Sequence, residues 1–441
     1  MLIINARLVN EGKIIERDLR IKNTRIEAIG DGLTPKPGEP VIDARGKLLM
    51  PGVIDDQVHM REPGLTHKGD LQSETTAAAA GGLTTVFEMP NTKPATLTRE
   101  LLEAKYARAA QVCAVNYAFY FGASNDNLED IKALDPKAAA GVKVFMGAST
   151  GNMLVDNEQI LEGIFAHAPC LIATHCEYQA AMDAALIAAR AQFGGNIPVS
   201  QHPIIRSREA CIKSTEIAIA LARRHNARLH VLHITTAEEL ALFQPGVSKG
   251  KRITAETCVH YLHFDDRDYE RLGNFIKCNP AIKAKTDREA LIAALHDGRI
   301  DVLATDHAPH TLEEKSGDYE RAPGGLPLVQ YALPCVLQRV TEGALSYPMV
   351  VDKFCHTPAQ LFDIAERGYL REGYFADLVL VDPKANRLVR RSDVLSKCGW
   401  SPFEGETFSH AVAGTWVNGQ HVYDGASVKP GVFGQRIVFA R

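Results

Sequence analysis

The chain has no C-x-x-C pair, no long apolar run, no excess of positive charge and no glycine-rich phosphate fingerprint behind an early strand. Its nine cysteines, from Cys113 to Cys398, are scattered, and an odd number cannot all pair with one another. This pattern does not read as a disulfide framework, and a reducing, cytoplasmic compartment is expected. The opening MLIINARLVNEGKIIERD is interrupted by Arg7 and Lys13 before a signal-like apolar stretch develops. No later segment approaches the ~18 apolar residues of a membrane span, so no membrane role is expected. Lys and Arg number 49 against 53 Asp and Glu, a net charge of -4, and they are spread along the chain. That balance advertises no face for nucleic acid or anionic lipid and points to a small-molecule partner. Short-period repeats and low-complexity segments are missing as well.

What is present is enough apolar material, 46% of 441 residues, for one large core and a smaller one. Short apolar runs separated by turn residues open the chain, at Leu2 to Asn5, Leu19 to Ile21, Arg25 to Ile29 and Lys47 to Met50, and read as small antiparallel strands. From Pro51 compact apolar runs alternate with longer helical patterns. Eight candidate strands follow in order: GVID (52–55), TTVFEMP (84–90), NYAFYFG (116–122), GVKVFMG (141–147), LIATHCE (171–177), RLHVLHI (228–234), RITAETC (252–258) and DVLATD (301–306). Helical stretches such as 178–192, 208–225 and 286–298 lie between them. This alternation predicts an α/β fold, a (β/α)8 TIM-type barrel, in preference to a doubly wound open sheet. Short strands return at 374–382 and 413–425. The economical division is a small β-sandwich built from both termini, residues 1–50 and 360–441, around a barrel of residues 51–359.

The polar residues that look out of place sit at the C-terminal ends of the predicted strands, where barrel enzymes keep their active sites. Strand one is followed by DDQVHMREPG with Asp55, His59 and Arg61, strand two ends in MPNT with Asn91, and strand four carries Lys143. Strand five ends at His175, strand six at His233, and strand eight in ATDHAPH with Asp306 and His310. Imidazole, carboxylate and lysine gathered on one rim can hold a divalent metal. The chemistry needs one, because a bound ion lowers the pKa of water to about 7 and polarises a carbonyl. A rim carboxylate such as Asp306 can then carry a proton to a departing nitrogen. A single strand-end histidine is more often a hydrogen-bonded structural residue, and Lys143 by itself reads as an ion-pair partner or a snorkelling side chain. Three histidines on three strands with an acid on a fourth reverse that reading. His230, His260 and His263 are assigned structural roles, and the Ala77 to Gly82 run is read as close helix packing.

The motifs REPG (61–64), AAAAGGLTTV (77–86), MPNTKP (89–94), KCNPAIK (277–283), ATDHAPH (304–310) and GYFADLVLVD (373–382) cover nearly the whole chain. In that order they resemble the cyclic amidohydrolases, and within them the longer-chain dihydroorotases. The resemblance implies a zinc centre with a carboxylated lysine, a role that falls on Lys143, and ligand positions at His59, His175, His233 and Asp306. It implies that Arg61, Asn91 and His310 hold a substrate carboxylate, a charge-assisted set suited to an anion, and that Asn279 lies near the bound ring. One position departs from the pattern: the family has histidine two residues before His59, and this chain has Gln57. A neutral amide is a weaker zinc ligand than imidazole, so of one or two zinc ions one is favoured.

The expected activity is reversible cyclisation of N-carbamoyl-L-aspartate to (S)-dihydroorotate in pyrimidine synthesis. A hydantoinase, dihydropyrimidinase or allantoinase is the alternative within the same chemistry. Their substrates mostly lack the ring carboxylate, and a buried Arg61 without an anion is costly. From a different class comes a catalytically silent dihydroorotase-like subunit supporting aspartate carbamoyltransferase, an idea that Gln57 favours and the intact remaining set disfavours. A homo-oligomer is expected, with aspartate carbamoyltransferase as a further candidate partner.

Overall fold

The computed structural model describes residues 1–147, 152–431 and 434–441. Eight parallel strands form the barrel: Val53–Val58, Leu83–Glu88, Asn116–Phe119 continued by Phe121–Gly122, Val142–Phe145, Ile172–His175, Leu229–Val231, Ile253–Cys258 and Val302–Ala304. Neighbours pair in chain order. The strands read as nearly unbroken apolar runs because both faces of such a sheet are covered. The ring closes where Val58 bridges His307 and the His59 amide donates to the His307 carbonyl at 2.7 Å. The predicted helices are found at Gln179–Phe193, Arg208–His225 and Lys285–Asp297. The Ala-rich segment is helix Leu71–Ala80, capped by Asp70, whose carboxylate accepts the Ser73 amide at 2.8 Å. Its small side chains are needed for close approach: a Cβ on Gly81 would lie 2.2 Å from the Val329 carbonyl oxygen.

The sandwich part is one eight-stranded sheet that joins both ends of the chain. Leu48–Pro51 pairs parallel to the first strand, Leu2–Asn10, and antiparallel to Leu378–Asp382, which continues to Ala411–Val417 and Gln420–Tyr423. Ile3, Leu8, Leu19, Ile21, Leu378 and Trp416 make its core. The final residues leave this sheet. Arg436 bridges Tyr117, Phe439 bridges Ile364, and the Phe439 ring packs on Phe87 at 6.0 Å, closing the barrel floor. Among the described residues no helix is long and apolar enough to cross a membrane.

Barrel and sandwich meet at a buried polar junction. Asp377 pairs with Arg367, accepts Asn116 Nδ2 at 3.1 Å and accepts the Asn418 amide at 2.7 Å. Asn116 Oδ1 in turn accepts Asn418 Nδ2 at 2.7 Å and the Gln435 amide at 2.9 Å. Asp377 and Asn116 thus tie together the third barrel strand, the sandwich and the C-terminal tail. Removing one partner of a buried pair leaves the other charged and unpaired, so Asp377→Ala is expected to cost about 3–5 kcal/mol. Urea denaturation checks this through a lower midpoint at unchanged slope.

Candidate active site

A cavity of about 370 Å³ opens at the C-terminal ends of the barrel strands, and His59, Arg61, Asn91, Lys143, His175, His233, Asn279, Asp306 and His310 all line it, with Gln57. A larger cavity of about 640 Å³ lies at the opposite end, around Arg228, Arg252, Arg367 and Arg371. Three of these arginines are already matched by Asp363, Asp377 and Glu11, and none of the rim residues reaches it.

The rim geometry begins with backbone turns. Arg61, His233 and Asp306 have φ of 71°, 42° and 52°, in the left-handed region that side chains seldom adopt, and each lies at or just past a strand end. Asp306 is held by its neighbours: the Thr305 amide and hydroxyl donate to Asp55 at 3.1 and 2.6 Å, and His307 Nε2 lies 3.0 Å from Glu74.

At one end of the cavity His59 Nδ1 lies 2.8 Å from Asn91 Oδ1. An amide oxygen only accepts, so Nδ1 donates to it, and Nε2 faces Asp306 Oδ1, 3.1 Å away. Gln57 Nε2 donates to the same Oδ1 at 3.2 Å. Reversing that amide would set oxygen against carboxylate oxygen, so Gln57 presents a donor here.

At the other end His175 Nδ1 and His233 Nε2 face one another at 2.9 Å. His175 Nε2 is held 2.8 Å from Glu177, itself paired with Arg206. Although burial opposes its charge, Arg206 and His175 keep the Glu177 carboxyl well below the usual range. Lys143 also lines the cavity, 1% exposed, and among the described residues its Nζ has no hydrogen-bond partner. Burial pushes its pKa down to about 7 against the pull of Asp306.

A third group is cationic. Arg61 is 8% exposed, donates through Nε to the Pro309 carbonyl at 3.0 Å and lies 3.0 Å from His310 Nε2. Lys68 Nζ lies 3.0 Å from the other His310 nitrogen and 2.9 Å from Glu314. Burial, then Arg61 and Lys68, push His310 far below its ordinary pKa, so its ring is neutral. Burial also lowers Arg61 to about 10. Among the described residues no carboxylate pairs with Arg61. Asn279 Oδ1 is buried without a partner, and a Cβ on Gly324 would lie 2.7 Å from Asn279 Nδ2, so only glycine lets that loop pass.

Sequence reasoning did not single out Lys68, Glu177, Asp56 or Glu256. Glu177 had a signal, because two residues past His175 an extended chain returns to the same face. Lys68 had none, since its contact with His310 is made by a loop. His263 is bound to Glu406 at 2.7 Å, and His260 packs on Tyr261 with ring centroids 4.0 Å apart. His230 lies deep in the barrel, where burial disfavours its charge but Asp56 and Glu256 outweigh that and raise it to about 9.

Residues 48–422 match the model of the amidohydrolase family. A dihydroorotase of Halobacterium salinarum is 35% identical over 97% of this chain and 98% of its own length. An allantoinase of Bacillus velezensis is 31% identical over 98% and 96%. The solved structure of the L-hydantoinase (dihydropyrimidinase) from Arthrobacter aurescens superposes with a TM-score of 0.94 at 30% identity, covering 99% of both chains.

The loop that closes the cavity beside Asn279 hangs on Lys315, which is fully buried and donates to the carbonyls of Lys277, Pro323 and Gly325 at 3.0, 2.9 and 3.1 Å. Lys315→Met keeps the stem and strands those acceptors, so a loss of about 2–4 kcal/mol is expected. Chemical denaturation measures it, and an unchanged midpoint contradicts the role.

Proposed function

Because the chain belongs to the amidohydrolase family and is a cyclic amide hydrolase, we propose that it is a dihydroorotase, closing N-carbamoyl-L-aspartate to (S)-dihydroorotate and reopening it in pyrimidine synthesis. The observation that carries this choice is Arg61: a buried guanidinium that shares a neutral His310 with Lys68 and, among the described residues, has no carboxylate of its own. Such a charge is costly unless an anion completes it. Dihydroorotate brings a ring carboxylate to that place, whereas the ring substrates of hydantoinases, dihydropyrimidinases and allantoinases mostly do not. The convergence of the whole set on one cavity weighs against a silent partner of aspartate carbamoyltransferase.

The residues fit a zinc ion. His175 Nδ1 and His233 Nε2 converge, Glu177 orients the first ring as a carboxylate behind a metal-binding histidine does, and Lys143 stands between with an orphaned, near-neutral amine. That amine is the form that adds CO2: its nitrogen bonds the carbon, a proton leaves, and the carbamate offers an anionic oxygen. At the other end His59 and Asp306 remain, but Gln57 contributes an N–H donor where a ligand would stand. One zinc is therefore favoured over two. Bound zinc supplies an activated water and a polarised carbonyl. Arg61, His310 and Asn91 hold the substrate carboxylate, Asn279 lies beside the ring, and Asp306 takes the proton released on attack and returns it to the departing nitrogen. In the same reading residues 51–359 form the catalytic barrel, and residues 1–50 and 360–441 the sandwich that braces it.

Arg61→Met is expected to raise KM for dihydroorotate at least ~tenfold, since a charge-assisted contact worth ~1.5–3 kcal/mol is lost. Equal turnover of dihydrouracil and dihydroorotate by the unaltered enzyme overturns the assignment. For the metal, zinc is titrated into chelator-treated protein while bound zinc and activity are followed, in parallel with Gln57→His. The natural protein is expected to reach full activity near about one equivalent at the rim, and the histidine variant to take up another. A requirement for two rim ions in the natural protein, or full activity with none, contradicts this.

A further inference from the structure

Below the rim, three ionisable side chains meet in the barrel interior. Asp56 comes from the first strand, His230 from the sixth and Glu256 from the seventh, and all are fully shielded from solvent. His230 Nε2 lies 3.0 Å from Glu256 Oε2 and 3.3 Å from Asp56 Oδ2. One ligand atom from each lies within 4.8 Å of the other two. Most of the remaining valences are filled. Thr254 Oγ1 lies 2.8 Å from His230 Nδ1, and Glu256 Oε1 accepts the His233 amide at 3.2 Å.

Asp56 is the exception: among the described residues neither of its carboxylate oxygens has a hydrogen-bond partner. His230 Nε2 hydrogen-bonds to Glu256, and its contact with Asp56 Oδ2 is the longer of the two. Burial and the neighbouring Asp56 push the Glu256 carboxyl far above its usual range, so without an ion the cluster keeps a proton in place of a second negative charge.

We propose that Asp56, His230 and Glu256 form a metal site for a divalent ion of the zinc class, inside the barrel and distinct from the rim set of Lys143, His175 and His233. Zinc arms of about 2.0–2.2 Å at tetrahedral angles separate ligand atoms by roughly 3.3–3.6 Å, so the observed 3.0 and 3.3 Å need only a few tenths of an ångström of opening. With Nδ1–H given to Thr254, the Nε2 lone pair points at the ion, the second-sphere pattern of a ligating histidine. One imidazole with two carboxylates suits zinc or a similar borderline ion. The ion displaces the protons of Glu256 and of His230 Nε2 to solvent, balances both carboxylates and gives Asp56 a partner. It also anchors Glu256, which holds the amide of His233 in its left-handed conformation.

The test is zinc-edge anomalous diffraction, with zinc content by mass spectrometry, on full-length protein expressed in Zn2+-supplemented medium, because a site this enclosed fills as the chain folds. A peak bounded by Asp56, His230 and Glu256 is expected. It should survive chelation and His175→Ala, which removes rim zinc, so a failure of the rim reading is seen separately. Asp56→Asn and Glu256→Gln should each abolish the deep peak and lower bound zinc by about one equivalent. A peak at the rim alone, no peak anywhere, or a deep peak unchanged by both substitutions overturns the proposal. If neither variant folds, the anomalous map of the natural protein decides by itself.

Discussion

Closure of the barrel between its first and last strands is the constraint on which the site depends. Asp55 accepts the amide and hydroxyl of Thr305, a residue 250 positions away, and Val58 and His59 meet the backbone of His307 just beyond. That seam sets Gln57 and His59 against Asp306, and Arg61 against His310. It also bears the cost of left-handed backbone at Arg61 and Asp306, on the order of 1–3 kcal/mol each. Strain of this size persists only where surrounding bonds over-determine the turn. Here the Asp55–Thr305 and His307–Glu74 pairs do so.

Burial then sorts residues of one type into different chemistry. Lys105 and Lys143 are both buried, yet Lys105 lies 2.7 Å from Glu88, while Lys143 has no hydrogen-bond partner among the described residues and is brought down to about 7. His310 and His230 diverge in the same way, because Arg61 and Lys68 face the first and carboxylates face the second. Composition carries none of this. It follows from which charges share a low-dielectric space.

The sandwich contributes rigidity at a distance from the chemistry. Asp377 fastens it to the third barrel strand, Thr415 donates to the Ala79 carbonyl at 2.8 Å, and the tail around Phe439 closes the floor. At the rim the covering segment belongs to the C-terminal part of the chain, where Trp400 Nε1 donates to the His310 carbonyl at 2.7 Å. The cationic end of the cavity is therefore positioned from outside the strands that carry it.

The eight strands, their order and the residues at their ends were legible in the sequence, because each apolar run is short, bounded by helical stretches and written in local periodicity. So was the anomaly at Gln57, which stands out against REPG, MPNT and ATDHAPH. The partners of these residues were not. That Gln57 donates to Asp306, that Lys68 reaches His310, and that Asp56 meets His230 and Glu256 follow from the stagger of strands around a closed barrel and from loops crossing its mouth. Local sequence determines which residues stand on which strand. Only the closed ring decides which of them, hundreds of positions apart, share one desolvated volume and so what charge each carries.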